Sequence, residues 1–212
     1  MSIELRTFAF LDQMQPQFAS FVASTARGYF PVAGQAALYV EIAPGIAINR
    51  QTDVALKATG VRPAVQVVER AYGLLAVQSE SQAEVLEAGQ HMLRSIERSE
   101  ADRLRPNLLS KQIITDVDDH QTMLLNRGSG GSMVLGGQTI YILEVHPAGY
   151  AALAANEAEK ASPITIVDLR PYGAYGRLYL CGTEAAIGEA AAAVEKVLAL
   201  VNGRTNEDEK HL

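Results

Sequence analysis

Few side chains in this sequence have both the type and the spacing to do chemistry. Glu69 and Arg70 stand side by side before Ala71-Tyr72-Gly73, between two short apolar stretches. An acid next to a base in a turn is ordinarily solvated and contributes about 0–1 kcal/mol. Repeated around a symmetry axis, the same two charges could bridge between copies and close a constriction. A second group is Asp116, Asp118, Asp119 and His120, which has the oxygen and imidazole donors of a cation site. It also has the ordinary chemistry of a helix start, and that reading is preferred. Arg127-Gly128-Ser129-Gly130-Gly131-Ser132 could cradle a phosphate with backbone amides. It lacks the P-loop lysine and leads into a strand, which favours a turn. His91, His146 and His211 have no ligand partners at metal spacing, and Cys181 has no histidine base near it in sequence. The expectation is therefore no catalytic residue, no metal and no cofactor, with Cys181 a buried, inert thiol.

The elements that carry these residues occur twice. Displaced by 103 positions, the chain matches itself without a gap: Gly28, Gly34, Gln35, Glu41, Pro44 and Lys57 fall on Gly131, Gly137, Gln138, Glu144, Pro147 and Lys160. Ala71-Tyr72-Gly73 falls on Ala174-Tyr175-Gly176, whereas Glu69-Arg70 meets Tyr172-Gly173. What the copies share reports their fold, and what differs reports separate roles. Alternation and capping predict, for the first copy, strand Leu5–Asp12, helix Gln15–Arg27, strand Ala37–Ile42, helix Asn49–Thr59, strands Ala64–Val68 and Leu74–Gln78, and helix Ser81–Arg98. Ser81 followed by Glu84 has the pattern of a capping box. For the second copy they predict strand Lys111–Val117, helix Asp119–Arg127, strand Thr139–Val145, helix Gly149–Ser162, strands Ile164–Leu169 and Arg177–Cys181, and helix Glu184–Val201. This order gives an α/β (α+β) fold with antiparallel sheets and helices packed on one face. The expected domains are residues 1–103 and 104–204, joined by a charged linker at Ser99–Asn107. The polar segment from Asn202 onward, residues 205–212 above all, is expected to be disordered.

Composition narrows the function classes. Net charge is −6 and no stretch gathers Lys and Arg, so a nucleic-acid footprint is missing. One cysteine cannot form an internal disulfide, the start MSIELRTFAF lacks a signal pattern, and Glu189, Glu195 and Lys196 interrupt the most apolar helix. A cytosolic protein without membrane spans is expected. Hydrophobic residues make up 48% of the chain against 20% charged ones, a balance that anticipates buried subunit contacts.

Several segments carry a family likeness. Pro44-Gly45-Ile46, Asn49-Arg50, Asp53-Val54-Ala55-Leu56-Lys57-Ala58 and Val68-Glu69-Arg70-Ala71-Tyr72-Gly73 are joined by Gln112-Ile113-Ile114, Asn126-Arg127, Ser132-Met133, Pro147-Ala148, Ala155-Asn156-Glu157-Ala158-Glu159-Lys160-Ala161 and Gly173-Ala174-Tyr175-Gly176-Arg177. Together they resemble the trimer-forming, permuted tandem-domain bacterial microcompartment shell proteins of the carboxysome, over Glu4 to Gly203. The resemblance implies a homotrimeric, pseudohexameric tile set among other carboxysome shell proteins, with stacking of two trimers face to face. It implies a central pore gated by Glu69 and Arg70 and supported by Ala71, Tyr72 and Gly73, with Tyr172, Gly173, Tyr175 and Gly176 forming the second-copy loop. Phosphorylated metabolites of carbon fixation are the implied cargo. A longer amino-terminal extension marks the α-carboxysome form, so the resemblance leans to the β form. The competing reading is a trimeric small-molecule binding or sensor module without a shell role, and an enzyme with clustered carboxylates ranks last.

Overall fold

The computed structural model describes residues 3–205. The first half runs β1 (Glu4–Leu11), α1 (Pro16–Thr25), β2 (Ala36–Ala43), α2 (Ile48–Ala58), β3 (Arg62–Glu69), β4 (Tyr72–Ser79) and α3 (Gln82–Ser95). The second runs β5 (Asn107–Ile114), α4 (Asp119–Gly128), β6 (Thr139–His146), α5 (Tyr150–Ala161), β7 (Thr165–Arg170), β8 (Gly176–Gly182) and α6 (Glu184–Leu200). Each half forms a four-stranded antiparallel sheet, in the orders β1-β2-β4-β3 and β5-β6-β8-β7. The internal repeat of the sequence is thus a repeat of structure.

Local chemistry accounts for the element ends. Pro16 opens α1, where a missing amide hydrogen does no harm. Ser81 caps α3 by accepting from the Glu84 amide, but the Glu84 carboxylate turns to the Ser79 hydroxyl at 2.7 Å, so only half of the anticipated capping box forms. Thr183 caps α6 through the Ala186 amide. β5 begins four residues before the expected strand and ends at Ile114. Asn107 and Leu108 already pair with His146 and Val145, and Asp116 takes a left-handed φ of 52° that breaks the extended run. The linker is correspondingly shorter, and residues 100–102 form a 3-10 turn capped by Ser99. The anticipated disorder does not extend to the start of the tail: the Arg204 amide donates to Arg103 and its carbonyl accepts from Arg105. Residues 206–212, including His211, lie outside the described residues.

Strand β2 is buried on both faces. Leu38, Val40 and Ile42 pack with Ile48, Ala55, Val85 and Met92 under α2 and α3. Ala37 and Tyr39 on the opposite face join Phe18 and Phe21 of α1 and a run of α5 alanines from the second half. The helices therefore cover both faces of the first sheet, and the second face is closed by the other domain. Burying a leucine or isoleucine contributes about 1.5–3 kcal/mol, so this shared core ties the halves together.

The junction is polar at its rim. Glu159 of α5 accepts from the amides of Gln17 and Phe18, at 2.7 and 2.8 Å, and so caps α1, whose own N-cap residue Gln15 makes no side-chain cap. Asn156 accepts from the Gln15 amide and donates to the Gln13 carbonyl, while Lys160 reaches Asp12. The Asn-Glu-Ala-Glu-Lys run of the family likeness is thus the seam between the two domains. Replacing Glu159 by alanine is expected to lower stability by about 1–2 kcal/mol, seen as a lower urea midpoint with native helix content retained.

Candidate functional site

At the end of the β3–β4 hairpin of the first domain, Glu69 pairs with Tyr72 across a two-residue turn of Arg70 and Ala71. Glu69, Arg70 and Ala71 are exposed. Arg70 has φ 52°, a left-handed conformation that costs a residue with a Cβ about 1–2 kcal/mol. Gly73 below is buried because nothing larger fits: an added Cβ would lie 2.2 Å from the Gly45 carbonyl oxygen. The Gly45 amide in turn donates to the Ala71 carbonyl at 2.7 Å, so the root of the turn is clamped.

The second copy preserves the shape and drops the charge. Gly176 meets the Ala148 carbonyl as closely as Gly73 meets Gly45. Gly173, the counterpart of Arg70, is also left-handed at φ 95°. Tyr172, the counterpart of Glu69, is half-buried and packs on the large core cluster rather than projecting like Glu69. The loop between β7 and β8 is longer, spanning 171–175. The two turns come together: a Cβ on Gly173 would stand 3.4 Å from a Glu69 carboxylate oxygen. A side chain there would be disfavoured by the left-handed backbone, and its Cβ would already touch the acid.

Beneath the turns lies a buried ionic cluster whose residues the sequence did not single out for this role. Arg6, 2% exposed, donates to Glu41 at 2.9 Å and contacts His146 Nε2 at 2.7 Å. Its guanidinium stacks 3.6 Å from the Tyr72 ring centroid, and Tyr175 meets the His146 ring edge-on at 6.2 Å. Glu41 also accepts from the Gly149 amide and the Thr7 hydroxyl. Burial pushes the Glu41 carboxyl above its usual range, opposed by Arg6 and these hydrogen bonds. The shared tyrosines of the two Ala-Tyr-Gly turns therefore rest on one pair of side chains at the domain junction. The signal available in sequence was asymmetry: Arg6 has Leu109 as its counterpart, and His146 has Ala43.

The remaining expectations resolve locally. Asp118 caps α4 by accepting from the His120 amide at 2.8 Å. In the glycine-rich loop, the amides of Gly131 and Ser132 donate to the carbonyls of Val167 and Ile166 and are unavailable to an anion. Cys181 is buried, and burial raises its thiol pKa, which keeps it unreactive.

Paired sheets with clamped turns at one end define a tandem-domain microcompartment shell protein, and solved structures share that architecture at substantial identity. The fused permuted hexameric shell protein of the RMM microcompartment is 42% identical and covers 95% of this chain and 100% of its own, with TM-score 0.92. The double ringed trimeric shell protein of the same microcompartment is 40% identical, covers 96% and 100%, and has TM-score 0.93. The family described as the CsoS1D N-terminal domain matches residues 5–102. Carboxysome shell protein CcmP of Synechococcus elongatus is 46% identical over 210 residues, 99% of each chain. CsoS1D of Hydrogenovibrio crunogenus is 48% identical over 197 residues, 92% of this chain and 96% of its own. The chain belongs to the CcmP/CsoS1D family of carboxysome shell proteins, whose members are structural components and not enzymes.

Two substitutions test the turn geometry. Gly73→Ala should lower stability by about 1–3 kcal/mol, because the methyl meets backbone that cannot yield. Arg70→Gly, copying the second copy, should instead raise it by about 1 kcal/mol by relieving the left-handed residue. Thermal melts of the two variants beside wild type check both.

Proposed function

We propose that this protein is a tile of the carboxysome shell, in which three copies form a pseudohexamer around a central pore gated by Glu69 and Arg70. The observation that carries the reading is the convergence of the two turns, with the Glu69 carboxylate beside Gly173 and both turns standing on the same buried pair. Family membership supports the shell role. A trimeric state is supported by the solved relative described as trimeric, and its double ring supports stacking of two tiles.

In this reading the first-copy turn brings an acid and a base to the axis three times, while the second-copy loop contributes backbone and a small residue. Glu69 of one copy pairs with Arg70 of the next to close the opening, and rotamer changes of exposed side chains release them. Charge-assisted pairs that are partly wet exchange at a cost of about 1–3 kcal/mol, small enough for both states to be visited. Tyr72 and Tyr175 keep the two turns in place while their tips move. An opening lined by arginine suits phosphorylated sugars and acids of carbon fixation, which carry the anionic oxygens that guanidinium groups bind.

The test is flux of 3-phosphoglycerate into assembled shells. The double variant Glu69→Ala and Arg70→Ala should retain the native trimer mass and pass the anion at least several-fold faster. Wild-type flux should rise with salt, because screening weakens wet ion pairs. Equal flux for variant and wild type at every salt concentration would remove the gate assignment.

A further inference from the structure

His146 is held in one protonation state by its neighbour. Arg6 approaches its Nε2 at 2.7 Å. A guanidinium has hydrogens to donate and nothing to accept with, so Nε2 is the acceptor and the ring is neutral, with its proton on Nδ1. The side chain is 8% exposed. The groups around it come from both domains. β1 supplies Arg6, with Glu4 3.6 Å from the guanidinium. β2 supplies Glu41, whose two oxygens are engaged by Arg6 and by the Gly149 amide and Thr7 hydroxyl. β4 supplies Tyr72, stacked on Arg6, and the loop 171–175 supplies Tyr175, edge-on to His146. Tyr150 of α5 stands near Glu41, with its hydroxyl given to the Leu104 carbonyl.

The contact crosses the domain boundary. Arg6 and Tyr72 belong to the first domain, His146 and Tyr175 to the second, so each tyrosine rests on a partner from its own half and the Arg6–His146 hydrogen bond joins the two pairs. A proton on Nε2 replaces the acceptor with a second donor. It sets two cations at hydrogen-bond distance inside the protein, where water screens them poorly. The bond is then lost, and with it the tie between Tyr175 and the Arg6–Tyr72 stack. The loop freed in this way is the one that holds Gly173 against the Glu69 carboxylate.

We propose, resting on the gate reading above, that His146 is an acid-sensitive latch between the two turns. Neutral, it ties the loop 171–175 to the Glu69–Arg70 turn through Arg6; protonated, it releases that loop and lets Glu69 swing out of the opening. The unfolded chain takes up this proton near the ordinary imidazole value of about 6.5, whereas the latched form refuses it, so stability falls as pH drops through that value. Glu41 acts in the opposite sense: burial raises its carboxyl, so the folded chain is protonated there more readily than the unfolded one. That contribution is present whichever residue stands at 146, and a substitution of the histidine separates the two.

The test compares wild type with His146→Gln, whose carbonyl still accepts from Arg6 but does not titrate. Between about pH 7.5 and 5.5, wild type should lose about tenfold in its folding equilibrium per chain relative to the variant, read from urea midpoints. In assembled shells, 3-phosphoglycerate flux through wild type should rise several-fold relative to the variant over the same range, the ratio cancelling the change in the anion's own charge. Midpoints that run parallel overturn the latch and leave the gate reading untouched. Diverging midpoints with a constant flux ratio, while Glu69→Ala with Arg70→Ala still speeds the anion, overturn the latch's hold on the gate. If that double variant also leaves the flux unchanged, the gate reading has fallen by itself and the midpoints alone decide the latch. Should His146→Gln not fold, 15N-histidine spectra of wild type decide instead: the latch requires the imidazole beside Tyr175 to stay neutral, protonated on Nδ1, at about pH 6.5, and a ring already half protonated there overturns it.

Discussion

The salt bridge between Arg6 and Glu41, closed on its other side by His146, is the interaction on which the rest of the arrangement depends. It lies where the first sheet meets the second domain, with both charges almost wholly removed from water. A buried pair of this kind contributes little net stability, but the loss of one partner leaves a costly uncompensated charge. The pair therefore acts as a constraint on geometry: the domains can meet only where Arg6 reaches Glu41 and His146 together. The Gly149 amide adds a further tie by donating to Glu41 at the start of α5.

That constraint extends to the turns. Tyr72 stacks on the Arg6 guanidinium and Tyr175 packs against His146, so the two hairpin ends are registered to each other through the junction and not through direct contact alone. The glycines at 45, 73 and 176 complete the clamp by letting backbone approach backbone. The tips above, Glu69 and Arg70, project beyond this rigid base. The gate proposed for Glu69 and Arg70 would use this division, with fixed roots setting the width of an opening and exposed charged tips changing its state at low cost.

Duplication followed by divergence has given the two copies unequal work on one scaffold. The left-handed position in the turn is kept in both, filled by Arg70 in one and Gly173 in the other. The acid before it is kept only in the first, and Tyr172 in the second packs, half-buried, against the core. The same pattern holds at the seams, where Glu159 caps α1 across the domain boundary while α4 caps itself with Asp118. Arg6, His146 and Glu159 hold the seam between the two domains, and Leu109, Ala43 and Leu56 occupy the corresponding positions of the other copy.

Much of this was legible in the chain alone. Alternation, caps and the 103-residue displacement sufficed for the element order, because those signals arise within a turn or strand and repeat from copy to copy. The Ala-Tyr-Gly turns and the loss of Glu-Arg in the second copy could be read the same way. β5 was misplaced because Lys111 to Val117 alternates well enough for a strand, and only the pairing of Asn107 with His146 decides otherwise. Carrying β1 forward by 103 positions would have placed it correctly. The junction was not legible: Arg6, Glu41 and His146 are remote in sequence, and each alone reads as an ordinary surface or strand residue. Their partnership exists only once the second domain closes over the first sheet. Local sequence thus determined which segments fold and where they turn, since short-range hydrogen bonding and periodicity govern those choices. Only the tertiary structure decided which charges are buried together, because burial depends on what every distant segment covers.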